Sequence, residues 1–260
     1  MADIALTREI SPAIERCELT HLARLPIDLD KARAQHREYE RVLEGLGCHV
    51  ERLPAGDDLP DSVFIEDIAL VFDEIAIISR PGASSRRDEV PAVECAVARF
   101  RPCQRIKSPG TLDGGDVLIV GRSVFVGCST RTNREAVEQL RGALLPFGYR
   151  VEPVTVRGAL HLKSAVTPVG DNLLLVNHEW APVDAFRAME ILSTHPLESY
   201  GANALRVGDA LVYPQAFPRT RDMLERRGLD VRAVDLSELA KAEGAATCCS
   251  LVFKQLTACS

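Results

Sequence analysis

Residues 115–156, GDVLIVGRSVFVGCSTRTNREAVEQLRGALLPFGYRVEPVTV, hold the repeating pattern of this chain in one place. Two short apolar runs are joined by a polar turn bearing a glycine, the signature of a β-hairpin. The segment STRTN then offers Thr132 or Asn133 as a helix cap. Behind the cap, Ala136, Val137, Leu140, Leu144 and Leu145 recur at helical spacing and predict one apolar face. The run YRVEPVTV predicts a third strand, so the unit is hairpin, helix, strand.

The unit recurs in both directions along the chain. Hairpin patterns begin at Glu66 (EDIALVFDEIAIIS), Ser164 (SAVTPVGDNLLLVN) and Gly201 (GANALRVGDALVYP). After the last of these, FPRTRDMLERRG predicts a helix stopped by Gly228, and LDVRAVDL a strand. An N-terminal version is split: DIALTREI, a helix over residues 30–46, then CHVERLP. A spacing of roughly 35 to 50 residues falls in the range of repeat architectures. Units that cannot bury their faces alone must pack around a shared centre, where residues distant in sequence meet. The competing expectation is an ordinary α/β sandwich whose hairpins are alike by chance. No linker or low-complexity stretch divides residues 1–260, so one domain is expected.

Composition excludes several classes of function. The 260 residues carry a formal charge of −6 with both signs interspersed, and no basic block invites nucleic acid. No apolar run reaches membrane-spanning length. The N-terminal MADIALTREI lacks the basic start and apolar core of an export signal. The eight cysteines are irregularly spaced, which suits a reduced, cytoplasmic protein with free thiols. Two of them, Cys248 and Cys249, adjoin in GAATCCSLVF. Neighbours cannot easily form a disulfide, and they make a poor zinc pair without further ligands at metal spacing. They are either two packed small hydrophobes or one reactive thiol beside a bystander.

Polar residues gather at the edges of the repeats: Asp61, Glu66 and Asp67; Asp113 and Asp116; Arg86, Arg87 and Arg131; and His161, in an expected strand. Each has a plain structural explanation. Glu66 and Asp67 interrupt an apolar region and would need partners such as Arg86 or Arg87. Asp113 before two glycines suits a turn, Arg131 a helix entrance, and His161 a packed core. As a set they suggest chemistry. A thiol, a histidine and several carboxylates are the parts for covalent catalysis at an electrophilic carbon. The surplus carboxylates suit a planar guanidinium, and the arginines a carboxylate at the far end of the same molecule. Arginine and its derivatives have both ends.

The motifs LPDSVFIED, RPGASSRR, LDGGD, RTN, HLKS and TCCS stand in order within residues 19–253. Together they resemble the dimethylarginine dimethylaminohydrolases of the guanidine-modifying (pentein) superfamily. The resemblance implies an α/β fold, a pseudo-five-fold propeller of ββαβ modules around a central active site. It also implies hydrolysis of asymmetric dimethylarginine or monomethylarginine to citrulline and the corresponding amine. On this basis Cys248 is the nucleophile and Cys249 the bystander. His161 is acid and then base, and Asp113 orients it with a side chain shorter than the glutamate of some members. Glu66 and Asp67 bind around the guanidinium, and Asp61 and Leu19 match other pocket positions. Arg86 and Arg131 contact the amino-acid end, and Ala242 supplies a main-chain contact.

No cofactor and no metal are required, although Cys248 and His161 are good ligands for an inhibitory zinc ion. The partner expected is a small molecule alone, with the chain a monomer or homodimer. Arginine deiminases usually carry an aspartate two residues after the histidine, where this chain has Lys163, which favours a methylated substrate. The alternatives are a deiminase-like or other guanidine-modifying hydrolase, and a non-catalytic sensor of arginine analogues. A loop near Leu19 is expected to close over a site that must exclude water. The tail KQLTACS is assigned no role, and its Cys259 is expected to be exposed.

Overall fold

In the computed structural model, residues 3–255 are described, so Cys259 lies outside them. From the N-terminus, β1 (Asp3–Arg8) leads through a long loop to α1 (Leu29–Gly45) and β2 (His49–Leu53). Next come β3 (Ala69–Val71), β4 (Ala76–Ile78), α2 (Val90–Val97) and β5 (Cys103–Arg105). Residues 115–156 supply β6 (Val117–Val120), β7 (Ser123–Cys128), α3 (Arg134–Leu144) and β8 (Arg150–Thr155). A short α4 (Leu162–Ala165) precedes β9 (Val166–Pro168), β10 (Leu173–Val176) and β11 (Glu190–Ser193). The last elements are β12 (Leu205–Val207), β13 (Ala210–Pro214), α5 (Pro218–Arg226), β14 (Asp230–Val234), α6 (Ser237–Ala240) and β15 (Leu251–Lys254).

These strands form five three-stranded sheets, one per module. In each, the middle strand runs antiparallel to the first and parallel to the third. That pattern follows from connection length: a tight turn joins antiparallel neighbours, and a longer crossover is needed for a parallel pair. The split N-terminal unit is completed by the end of the chain. β15 pairs antiparallel with β1, from Asp3 opposite Lys254 to Leu6 opposite Leu251. First strands of neighbouring modules touch, β15 with β3, β6 with β9, and β9 with β12. The sheets are thus five separate blades in sequence around one centre. The fourth blade departs from the pattern, because a short 3-10 turn, Val183–Phe186, replaces the crossover helix.

Within residues 115–156 the expected elements form, with one difference of detail, at Leu145. Of the two expected caps, Asn133 serves α3 by accepting the Ala136 N–H at 3.1 Å. Ala136, Val137, Leu140, Ala143 and Leu144 are buried against Val124, Val126 and Val151, and each leucine contributes about 2 kcal/mol of apolar burial. Leu145 is 69% exposed, because the chain tightens into a 3-10 turn there and swings it off the helical face. No helix among the described residues is long and apolar enough to cross a membrane.

The fold sends the polar residues to one place by a simple repetition. Immediately before the first strand of each blade runs a short segment that ends near the centre. Glu66 and Asp67 precede β3, Asp113 and Asp116 precede β6, and His161 and Lys163 precede β9. Asn203 precedes β12, and Cys248 precedes β15.

Candidate active site

Glu66 and Asp67 do not lie in a strand. They occupy a 3-10 turn, Ile65–Ile68, and both are buried. Charged side chains there are tolerable only with partners, and each has them. The Asp67 carboxylate receives Arg86 Nη1 at 2.5 Å and the Gly115 N–H at 2.9 Å. Glu66 receives Lys163 Nζ at 2.7 Å and Thr247 Oγ1 at 2.8 Å. Its own N–H donates to the Cys248 carbonyl at 3.2 Å, tying the second blade to the cysteine segment.

His161 also departs from its expected strand. It is an extended residue at the N-terminus of α4, with φ −134° and ψ 162°, and the strand begins only at Val166. Flanking apolar residues suggested a strand, but a buried turn has the same local composition. His161 Nε2 lies 3.1 Å from Asp113 Oδ2, so the shorter acid reaches the imidazole. Nδ1 faces Asp67 at 3.8 Å. Asp113 also accepts the Gly82 N–H at 2.9 Å, and Arg131 Nη1 stands 3.9 Å from it. Asp116 fixes the segment from below, accepting the Leu162 N–H at 3.0 Å and Ser129 Oγ at 2.6 Å. The two glycines of LDGGD are required by this closeness. A Cβ on Gly115 would stand 2.7 Å from His161 Nδ1, and one on Gly114 would stand 2.0 Å from the Glu66 carbonyl oxygen.

The fifth segment presents the adjacent cysteines in opposite senses. Cys248 lines a narrow cavity with His161, Asp67, Asp61, Arg86 and Arg131, enclosing about 20 Å³ of free space. Cys249 is fully buried, and its thiol donates to the Ala245 carbonyl at 3.6 Å. The segment is held from behind by the Tyr39 hydroxyl, which donates to the Ala246 carbonyl at 2.9 Å and lies 2.6 Å from Ser250 Oγ. Asn203 braces it laterally, accepting the Thr247 N–H at 3.0 Å and donating to Thr247 Oγ1 at 2.9 Å.

The charges set the proton affinities. Burial disfavours the His161 imidazolium, but Asp67, Asp113 and Asp116 more than offset it and raise its pKa to about 9. Burial likewise opposes the Asp67 carboxylate, yet His161 and Arg86 hold its pKa down at about 2. Burial lifts Asp116 to about 6, against the pull of His161 and the Ser129 and Thr132 hydroxyls. Burial, then the negative charges of Glu66 and Asp67, push the Cys248 thiol well above its ordinary value. At neutral pH these charges favour an imidazolium on His161 and a thiol on Cys248.

The remaining expected residues divide by how free they are. Asp61 accepts the Glu18 N–H with both carboxylate oxygens at 3.2 Å, and burial raises its pKa. Arg86 is largely spent on the fold. Besides Asp67 it engages Glu89 at 3.1 and 2.9 Å and the Phe64 and Asp61 carbonyls at 3.0 and 3.3 Å. Arg87 turns away to the Pro81 carbonyl. Arg131 is freer: among the described residues its guanidinium meets only Asp113 and Thr20 Oγ1, the latter at 3.4 Å. Ala242 lines the cavity, whereas Leu19 is half-buried against the core of the first blade and its neighbour Glu18 does the lining. Phe64, Leu160 and Glu243 also line the cavity without having been singled out from sequence, and nothing in their local pattern marks them. Among the described residues, Asp67, Asp113 and His161 approach one another as closely as metal ligands do, but Cys248 is not in that group. Their facing atoms are already engaged with Arg86, Gly115, Gly82 and one another. A larger, mostly apolar cavity of about 250 Å³ adjoins the first and shares Leu160 and Glu243 with it.

Five three-stranded blades with a thiol, an imidazole and carboxylates converging at their hub define a pentein-type α/β propeller. A family model described as N,N dimethylarginine dimethylhydrolase, eukaryotic, matches residues 24–192. An N(G),N(G)-dimethylarginine dimethylaminohydrolase of Streptomyces coelicolor is 39% identical, covering 97% of this chain and 97% of the relative. That of Pseudomonas aeruginosa is 38% identical, over 87% and 90% respectively. The Pseudomonas structure solved as a cysteine-to-serine variant in complex with citrulline superposes with a TM-score of 0.92 at 35% identity, covering 97% of this chain and all of that one. This chain belongs to the dimethylarginine dimethylaminohydrolase family.

Proposed function

We propose that this protein hydrolyses Nω-methylated arginines to citrulline and dimethylamine or methylamine, acting as a single cytoplasmic domain without a cofactor. The observation that carries the proposal is the joint placement of Cys248 and an Asp113-bonded His161 on one narrow cavity walled by Asp67 and Arg131. The substrate's guanidinium enters beside Asp67 and its carboxylate lies toward Arg131. Glu66 is already shared between Lys163 and Thr247, so it has less capacity left for guanidinium N–H groups. A methylated nitrogen, having fewer hydrogens to satisfy, suits that better than free arginine.

Cys248 is a thiol in the free enzyme, and the arriving cation favours its ionisation, releasing the proton to solvent. The thiolate attacks the guanidinium carbon. The His161 imidazolium gives its proton to the departing methylated nitrogen as the C–N bond breaks, leaving a thiouronium on Cys248. Neutral His161 then takes a proton from water. The resulting hydroxide attacks the same carbon; as the C–S bond breaks, the hydroxyl proton of the adduct passes to the departing sulfur, giving citrulline and restoring the Cys248 thiol. Asp113 keeps the ring oriented through both proton transfers. Zinc would inhibit by occupying Cys248 and His161.

The test is incubation of the purified protein, without added metal, with asymmetric dimethylarginine, monomethylarginine and arginine in parallel. Citrulline and amine are quantified by mass spectrometry. Product from the methylated substrates, lost in Cys248→Ser and kept in Cys249→Ser, is expected. Citrulline chiefly from arginine would make the protein a deiminase. Binding without product would make it a sensor.

A further inference from the structure

Glu243 lines both the polar cavity and the apolar one beside it, five positions before Cys248 in the chain. It is the only non-glycine residue with a positive φ among those described, at +59°. An L-residue in that region is strained, and such strain persists only where the surroundings hold it in place. What holds it is a set of three hydrogen bonds from consecutive backbone amides. Its carboxylate accepts the Thr20 N–H at 3.0 Å, the His21 N–H at 2.5 Å and the Leu22 N–H at 2.7 Å. Convergent main-chain N–H groups form a nest for an anion, here filled from another part of the chain.

We infer that Glu243 is a positioning residue that latches residues 18–22 across the mouth of the site. One end of that segment is pinned at the cavity by the Glu18 N–H on Asp61, and the other by Glu243. Between them Thr20 meets Arg131, the freer cavity arginine. Besides these, the segment is held by the Glu18 carboxylate, which accepts Ser85 Oγ at 2.6 Å, and by Leu19 against the core. Thr20 and His21 are exposed, Leu19 and Leu22 are half-buried, and no strand or helix includes them. A loop with so few buried contacts opens readily unless specific bonds restrain it. The left-handed turn at Glu243 carries its side chain to the loop while the neighbouring Ala242 still faces the cavity. Latch, main-chain contact and nucleophile therefore sit on one short segment.

The inference rests on the proposed reaction only for its kinetic consequence. The test compares the full-length protein with Glu243→Gly and Glu243→Gln. Glycine adopts φ +59° without strain, so this variant removes the carboxylate and leaves the turn. Glutamine keeps the length but turns one acceptor into a donor facing the loop amides. Hydrogen exchange at residues 20–22, measured without substrate, is expected to quicken by about ten-fold or more in both variants, since hydrogen bonds to charged groups are the stronger kind. The KM for asymmetric dimethylarginine should rise by a comparable factor while kcat changes by no more than about three-fold, a split that general destabilisation would not produce. Unchanged exchange at those amides in Glu243→Gly overturns the latch. Faster exchange with unchanged KM overturns its role in holding substrate. If the wild-type protein formed no citrulline, the proposed reaction would fall, and the latch would still be decided by the exchange data.

Discussion

Replacing Asp113 by Asn removes one charge from the His161 environment with almost no change of shape. The amide oxygen can still accept the Gly82 N–H, which lies at 2.9 Å in the parent. What is lost is the carboxylate 3.1 Å from His161 Nε2. Losing one of the neighbouring acids should lower the pKa of His161, now raised to about 9, by about one to two pH units. If His161 protonates the leaving amine, the alkaline limb of kcat/KM falls near pH 9 in the parent and moves to roughly 7–8 in the variant. Stability supplies a second readout. A histidine whose folded pKa exceeds its unfolded value of 6.5 adds stability that is complete below pH 6.5 and is lost as pH rises through 9. The whole contribution is about 3 kcal/mol, of which Asp113 carries a share of about 1.5 kcal/mol. Urea unfolding should therefore show Asp113→Asn less stable by about that amount at pH 6, with the gap closing above pH 9. An alkaline limb that stayed in place, or a stability gap independent of pH, would refute the reasoning.

Other perturbations probe the framework around the centre. Arg86→Gln strands Asp67 and Glu89 in the interior, and a loss of about 3–5 kcal/mol by chemical denaturation is expected. Gly115→Ala drives a methyl group to 2.7 Å from His161 Nδ1, so citrulline formation should fall by about a hundred-fold while circular dichroism stays that of the parent. Tyr39→Phe deletes a buried hydroxyl bonded to Ala246 and close to Ser250, and should cost about 1–2 kcal/mol in thermal unfolding.

Much of the fold is carried by local information. Strand alternation, turn glycines such as Gly121 and Gly208, and the cap before α3 act over a few residues, so the ββαβ unit is visible in any window that contains it. Where local pattern is shared by two structures, it misleads. Apolar flanks made His161 look like a strand residue, and helical spacing placed Leu145 on a face it leaves. In the fourth blade, where no helix was expected, a shorter crossover closes the three strands, and its Phe186 still reaches the core.

The sequence by itself determined which chemical groups were available and that five similar units would carry them toward a common centre. Tertiary structure decided how they are used. Whether Arg86 serves a structural ion pair or a ligand, both open from sequence, turns on Glu89, Asp67 and the Phe64 carbonyl meeting around it. Glu66 is matched to Thr247 across 181 positions of chain, and Thr20 to Glu243 across 223. The physical reason is one of range. Propensity and periodicity act between near neighbours, whereas the state of a buried charge depends on every group packed within a few ångströms of it, wherever in the chain that group arises.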